Sequence, residues 1–304
     1  MFKTTIAVSM IMLSTAASAA VSTQTWTFDN TNPAGLDNST QIQGGYDSNG
    51  NYIEWIGEDG ITINVTAWSE TAGSTSICDT DPAAPECVSG TESSSGSTEI
   101  DPFIRNAKLQ YYGSSLGIEN RDGEGGAPQH SIDNIPNYSG AGYNDYDAVL
   151  IEFSKAVTLD NINVGWATNN GDGSNNGKAD ISVIAYNGAS SDVSPFFSAS
   201  STWGSFLGNG WSRIGDYQDA SSLYSIKKSE NAQTENMFKS KFWLISAYNP
   251  VFGGILSNAN DGFKLKGLAT SFSTTPSTSV NEPGTIAIAL LGLFGVYFQS
   301  RRKS

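Results

Sequence analysis

Hydrophobic and polar residues alternate along several short stretches of the chain, the pattern of β-strands with one buried face. The clearest stretch is residues 60–69, where every second residue from Ile61 to Ala67 is apolar. Similar but shorter patterns predict strands at residues 25–29, 107–112, 116–119, 148–153, 157–159, 162–166, 179–186, 211–214, 242–248 and 263–270.

Two groups of neighbouring strands have predicted connections. Residues 107–112 and 116–119 flank Gly113-Ser114-Ser115 and form a candidate hairpin. In residues 147–166, polar residues interrupt the apolar pattern at Ser154-Lys155 and again at Asp160-Asn161, and both interruptions predict turns.

Loops rich in Gly, Asn, Asp and Ser join these strands, and no long helical pattern separates them. This organisation predicts an all-β fold, namely an antiparallel β-sandwich with the jelly roll as one arrangement. The body is expected at residues 20–270, followed by a Ser/Thr/Pro-rich linker at 271–280.

Both ends of the chain look like targeting segments. Lys3, an apolar stretch at residues 6–13 and Ala17-Ser18-Ala19 predict a cleaved signal peptide at residues 1–19. Near the other end, Asn281-Glu282-Pro283 precedes the apolar run 286–298, and the cluster Arg301, Arg302 and Lys303 follows it.

This C-terminal segment, residues 281–304, resembles the PEP-CTERM sorting signal of Gram-negative bacteria. Glu282, Pro283, the apolar run and the basic cluster match that signal, whereas Asn281 stands where its first proline is usual. The resemblance implies a single membrane helix at residues 285–299 and recognition by an exosortase. It also implies delivery to the cell surface or extracellular matrix after export through the inner membrane.

An ordinary C-terminal membrane anchor is the alternative. Thirteen apolar residues at about 1.5 Å each span about 20 Å, against a hydrocarbon core of roughly 30 Å. The segment therefore suits a transient anchor better than a permanent one, and whether it is cleaved or retained stays open. A eukaryotic lipid-anchor signal fits less well, because it does not require the basic cluster.

The body also resembles a family of exosortase-dependent surface proteins from marine bacteria. This resemblance implies surface display and little about chemistry. The segments that carry it are 67–69, 116–120, 129–134, 148–166, 243–249 and 252–254.

The body is strongly acidic. Of 16 basic residues four lie in the two terminal segments, and of 30 acids only one does, so the body carries a formal charge of −17. Such a charge disfavours nucleic acid and anionic lipid, and favours cations, neutral glycans and basic surfaces.

The two cysteines, Cys78 and Cys87, lie close together in the sequence of an exported chain, and we expect a disulfide between them. The only histidine, His130, excludes the usual His-rich catalytic zinc sites. We expect it to be a turn residue beside Asp133.

Two polar clusters supply the oxygen ligands and Gly-containing turns that calcium prefers. One structural Ca²⁺ is the candidate cofactor, although solvated turns explain the same residues. The candidate ligands are Asp133, Asp145 and Asp147 in the first cluster, and Asp172 and Asp180 in the second.

Together these features predict a non-catalytic surface or matrix protein with a structural or adhesive role, associated with extracellular polysaccharide or biofilm. A carbohydrate-binding module is the first alternative, and its candidate sugar platforms are the turn-proximal Trp55, Trp68, Trp203 and Trp211. A glycoside hydrolase or lyase using acids such as Glu119 or Glu152 is the second; it requires two carboxyl groups in one cleft. Trp166 and Trp243, by contrast, are expected in the core.

Overall fold

The fold was taken from a computed structural model that describes residues 20–28, 42–43, 52–56, 60–72, 103–112, 114–119, 130–135, 146–171, 174–198, 200–226, 238–256 and 260–274. The chain divides into two compact units, residues 1–22 with 273–304 and residues 23–272. The core and site described below belong to the second unit.

The described residues form fourteen strands and three short 3₁₀ helices. The strands are β1 (Ala20–Thr27), β2 (Ile42–Gln43), β3 (Tyr52–Ile56), β4 (Thr62–Ala72), β5 (Phe103–Asn106), β6 (Lys108–Tyr112), β7 (Ser115–Glu119), β8 (Ile132–Asp133), β9 (Asp147–Thr168), β10 (Ala179–Tyr186), β11 (Trp211–Ala220), β12 (Tyr224–Ser225), β13 (Ser240–Ala247) and β14 (Gly262–Thr274). The helices are η1 (Ser194–Phe197), η2 (Trp203–Ser205) and η3 (Pro250–Phe252).

Antiparallel pairing joins the fourteen described strands into one sheet, in which they form two groups that share β9; these groups are called the first and second layers. In the first layer the order is β11, β10, β13, β9 and β4, with β3 and β5 both beside β4 and β2 beyond β3. In the second layer β14 lies beside β9 and also pairs with β1, β7 and β8, while β6 pairs with β7 and β12 with β9. The prediction of an all-β, antiparallel fold is confirmed.

A single strand, β9, belongs to both layers. Its first part pairs with β4 and β13, and its second part pairs with β14 and β12. The turn predicted at Ser154-Lys155 is therefore wrong. These residues and Ala156 are exposed where the strand passes from one layer to the other, which interrupts the apolar alternation without ending the strand.

The turn predicted at Asp160-Asn161 is also wrong. Asp160 is buried within β9, where its carboxylate accepts a 3.1 Å hydrogen bond from the Ser271 hydroxyl. Its carbonyl oxygen accepts another bond from the Ile226 amide. The polar residue that predicted a turn therefore lies within β9 and bonds it to the neighbouring chain segments.

The two clearest local predictions are confirmed. In β4 the side chains of Ile63, Val65 and Ala67 are buried, while the intervening residues are partly exposed. β6 and β7 pair as the predicted antiparallel hairpin.

The first layer is covered on both faces, because alternate side chains of its strands enter two separate apolar clusters. In β13, for example, Trp243 and Ile245 enter one cluster and Phe242 and Leu244 the other. The inner cluster joins the two layers and includes Trp26, Ile63, Val65, Val149, Ile151, Phe153, Leu159, Val164, Val183, Trp243, Ile245, Phe263 and Leu265. The outer cluster packs the first layer against the 3₁₀-helical segments and includes Leu150, Ile184, Tyr186, Val193, Trp203, Phe206, Trp211, Phe242, Leu244 and Phe252.

Several predicted features lie outside the described residues: the signal peptide, the cysteine pair, most of the linker and the whole sorting signal with its apolar segment 285–299. β14 continues to Thr274, inside the predicted linker, and Phe272 is buried there. Within the described residues, no helix has the length and apolar character needed to cross a membrane.

Candidate functional site

A groove opens on the outer face of the first layer, and strands distant in sequence build its floor. Asn64 lies opposite Glu152 in the pairing of β4 with β9, and Phe242 lies opposite Glu152 on the other side. The groove has a volume of about 230 Å³ and is lined by Asn64, Thr66, Trp68, Leu150, Glu152, Ser191, Asp192, Val193, Ser194, Phe197 and Phe242.

The loop that ends in η1 forms the wall opposite this floor. Asp192 fixes the start of η1, because its carboxylate accepts hydrogen bonds from the Ser194 amide at 2.8 Å and the Ser194 hydroxyl at 3.0 Å. Ser190 closes the preceding turn through bonds to the amide and carbonyl of Asp192. Pro195, at the start of η1, reinforces the helical turn. The wall is thus held by its own local hydrogen bonds.

Two aromatic rings join the wall to the floor. The ring centroids of Trp68 and Phe197 are 4.3 Å apart, and their planes are inclined by 35°. The Trp68 indole N–H donates a 2.9 Å hydrogen bond to the Thr66 hydroxyl, which fixes the ring along β4. Both rings are only partly buried, so the groove has an aromatic surface next to its polar groups.

The carboxyl groups of Glu152 and Asp192 have opposite electrostatic environments. Burial by the groove raises the pKa of Glu152; Lys241 opposes this increase and Asp192 adds to it. The Ser194 amide and hydroxyl lower the pKa of Asp192 because they donate hydrogen bonds to its charged form. The groove therefore combines an ionised carboxylate with a carboxyl group that holds its proton more strongly than usual.

The amide of Asn64 adds a third polar group at the floor. Its Oδ1 atom is enclosed and has no hydrogen-bond partner among the described residues. Enclosed polar atoms usually have a partner in the folded protein, either a protein group or a bound molecule. Asn64 therefore lines the groove, but its Oδ1 atom is closed off from solvent and is not presented to a ligand there.

The predicted calcium ligands are brought together only in part. Asp133 and Asp147 are both buried, and the Asp133 amide donates a 3.4 Å bond to the Asp147 carboxylate. Hydroxyl groups bond to the same carboxylates, Ser69 to Asp147 and Ser131 to Asp133. Asp145 and Asp172 lie outside the described residues.

Asp180 instead joins a buried polar network with Asp261 and Asn134. The Asp180 amide donates to the Asp261 carboxylate at 2.7 Å, and the Asp261 amide donates to the Asn134 side chain at 2.8 Å. The Asp180 carboxylate itself accepts a 2.8 Å bond from the Asp219 amide. No group of three or more His, Cys, Asp or Glu side chains is placed to hold a metal ion within the described ranges. The calcium site stays a prediction.

The tryptophans proposed as sugar platforms or core residues differ in their exposure. Trp203 and Trp211 are only 2% and 3% exposed, so the structure excludes them as surface platforms. Trp243 is buried as expected, whereas Trp166 is partly exposed and lies beneath Lys264, its ring centroid 5.4 Å from Nζ. Trp68 lines the groove. The side chains of Trp55 and Glu119 are outside the described part of the structure.

His130 occupies a turn, as predicted, with a φ of 62°. Its ring stacks on Tyr112 with a centroid distance of 4.4 Å and an angle of 5° between the planes. The hydroxyl of the adjacent residue, Ser131, bonds to the Asp133 carboxylate.

Sequence reasoning missed Asp192 and Phe197. Residues 190–197 (SSDVSPFF) have no strand periodicity, but they place an Asp-Val-Ser turn immediately before a proline and two aromatic residues. A turn stabilised by its own side chains, followed directly by two aromatic residues, was the sequence feature that could have indicated an ordered loop here.

Comparison of the whole sequence with protein-family models and with curated proteins finds no match.

Proposed function

We propose that the chain is an exported, exosortase-sorted protein of the cell surface or extracellular matrix. Its body serves a structural or adhesive role associated with extracellular polysaccharide, without catalysis. The observation that carries this proposal is the three-part segment at residues 281–304, preceded at the other end by a signal-peptide pattern. Its implied partners are an exosortase, the membrane that holds residues 285–299, and the polysaccharide.

The body is proposed to be a β-sandwich. Two observations support this arrangement. The inner cluster contains residues from both layers, and the single strand β9 runs through both layers. Sandwich corners commonly form where a strand bends from one sheet into the other. The jelly-roll connectivity stays a prediction.

The acidic body supports a role away from nucleic acid. A formal charge of −17 keeps the chain soluble and repels polyanions. The calcium prediction fits the same setting, because divalent ions offset repulsion among crowded carboxylates.

The sorting proposal is tested by neutralising the basic cluster in a host that carries an exosortase. Arg301, Arg302 and Lys303 are replaced with glutamine in the full chain, and a control replaces them with Lys, Lys and Arg. We expect the neutral variant to accumulate unprocessed in the inner membrane, while the charge-retaining control matures normally. The measurement is the mass and cell fraction of the chain by immunoblot. Normal maturation of the neutral variant would overturn the proposal.

A further inference from the structure

We propose that the groove between β4, β9 and η1 binds one sugar ring of a non-anionic polysaccharide, with Trp68, Glu152 and Asp192 as its principal contacts. This inference deepens the proposed function and rests on it for its biological setting. It assigns the proposed polysaccharide binding to one groove on the body.

The polar groups of the groove select a ligand that donates hydrogen bonds. Asp192 lines the groove as an ionised carboxylate, which accepts hydrogen bonds but cannot donate them, and the oxygen atoms of the Glu152 carboxyl group accept as well. The hydroxyl groups of a sugar can donate to both carboxyl groups, and a ligand amine does the same.

The apolar part of the groove suits the C–H face of such a ring. Leu150, Val193 and Phe242 line the groove together with the contacting pair Trp68 and Phe197. Ligand sites commonly combine an apolar lining with a few oriented polar groups. A sugar ring has the matching character, because its hydroxyl groups lie around an edge and its C–H groups cover a face.

The charge of the groove excludes acidic sugars. Glu152 and Asp192 line it together, and Asp192 already raises the pKa of Glu152. Lys241 is the cation that acts on Glu152, and it offsets only part of the increase. A uronate or sulfated sugar would bring a further negative charge beside these carboxyl groups.

The fold also argues against a peptide ligand. Extended peptides commonly bind by adding a strand to an exposed sheet edge. The floor of this groove is the face of β9, which already pairs with β4 on one side and β13 on the other. The groove volume of about 230 Å³ is many times the roughly 10–15 Å³ needed to hold one water, which is consistent with a ligand as small as one sugar ring.

Binding is tested with the full-length chain purified in detergent. The probes are dextran and a soluble β-glucan, both neutral, chitosan oligosaccharide, alginate oligosaccharide and an oligolysine peptide, each titrated by calorimetry. We expect binding to a neutral glucan or to chitosan, and none to alginate. Trp68→Ala and Glu152→Gln should each weaken that binding about tenfold, or about 1.4 kcal/mol.

Trp166→Ala is the matched control, because Trp166 is also partly exposed but lies on the second layer. It should leave affinity unchanged. Trp68→Phe keeps an aromatic ring and should retain part of the affinity, which tests the groove even if Trp68→Ala fails to fold.

The inference is overturned by any of three results: no binding to the neutral glucans or chitosan, equal affinity of the Trp68 variants and the parent, or binding of oligolysine alone. New reducing ends after incubation would indicate hydrolysis, which would support sugar binding and overturn the proposed role without catalysis. The localisation assay separates these failures from failure of the proposed function. A chain that is sorted normally but binds no sugar overturns only the groove assignment, and one that binds sugar but is not sorted overturns only the sorting proposal.

Discussion

The backbone amide of Asp180 donates a 2.7 Å hydrogen bond to the carboxylate of Asp261, so two buried acidic residues lie side by side. The pKa of Asp261 is raised to about 7, from an ordinary value of 3.8, chiefly by burial. The charges of Asp180 and Asp219 contribute to this increase, while hydrogen bonds from the Asp180 amide and Asn134 oppose it. This carboxyl group thus titrates near neutral pH.

The pKa of Asp261 predicts a specific pH dependence. Between about pH 4 and pH 7 the folded chain binds more protons at Asp261 than the unfolded chain does. The contribution of Asp261 to the free energy of unfolding is therefore largest at low pH and is lost as pH rises to about 7. Asp261→Asn keeps an acceptor for the Asp180 amide and removes the charge. We expect the free energy of unfolding of this variant to exceed that of the parent by up to about 4 kcal/mol at pH 8. Near pH 4 the difference should disappear.

Chemical denaturation across this pH range measures the effect. Asp192→Asn is a control of opposite sign, because hydrogen bonds lower the pKa of Asp192, and its contribution is lost as pH falls. Identical pH profiles for Asp261→Asn and the parent would contradict the prediction.

The ion pair of Arg213 with Asp216 is expected to contribute to stability. The Asp216 side chain is only 2% exposed, and it also accepts a 2.7 Å bond from the Ser182 hydroxyl. Arg213→Met removes the positive charge from a buried carboxylate. Because Arg213 is itself 41% exposed, we expect a loss of about 1–2 kcal/mol, below the range for a fully buried pair.

Lys178→Met provides the matched control for that ion pair. Lys178 and Asp219 form an exposed pair at 3.5 Å, and its loss should cost at most about 0.5 kcal/mol. Denaturation midpoints compare the two variants. Equal losses of stability in the two variants would contradict the prediction that the Arg213–Asp216 pair contributes more than the exposed Lys178–Asp219 pair.

Gly267 should not tolerate a side chain. A Cβ atom added there would lie 2.2 Å from the carbonyl oxygen of Trp26, where β1 approaches β14. We expect Gly267→Ala to lower stability by about 1–3 kcal/mol, the usual range for overpacking. Gly204→Ala is the control, since its nearest neighbours would be 3.8 Å away. Thermal melting of both variants decides the point, and a Gly267→Ala chain as stable as the control would refute it.

Calcium dependence tests the two acidic clusters directly. If Asp133, Asp145 and Asp147, or Asp172 and Asp180, hold Ca²⁺, chelation should lower the melting temperature and added calcium restore it. Calcium at about one hundred times its dissociation constant stabilises the fold by about 2.7 kcal/mol. Coincident melting curves with calcium and with chelator would overturn the calcium prediction, and would leave the buried Asp133, Asp147 and Asp180 as hydrogen-bonding residues only.

Local alternation in the sequence was sufficient to predict much of the β structure. It identified β4, the β6–β7 hairpin and the antiparallel, all-β class, because each depends on residues close together in the chain. It failed within β9, since Ser154 and Asp160 resemble turn residues, and their hydrogen bonds are to Thr62 and Ser271, which are distant in the sequence.

The groove was less accessible to sequence reasoning. Trp68 and Glu152 were each identified as candidates, but for different functions, and nothing local indicates that they line one groove. Their proximity depends on the pairing of β4 with β9, which brings Asn64 opposite Glu152. Asp192 and Phe197 were missed because their loop has no periodic pattern.

The two-layer strand β9 also affects when the chain can fold. Its second half pairs along most of its length with β14, the last strand described, while β1 at the opposite end pairs with β14 as well. If the chain is exported N-terminus first, as proposed, apolar residues in the second half of β9 lack their β14 partners until residues 262–274 have crossed the membrane. Contacts between such distant segments are slow to form. Completion of the fold is consequently a late event, which requires nearly the whole body to be present.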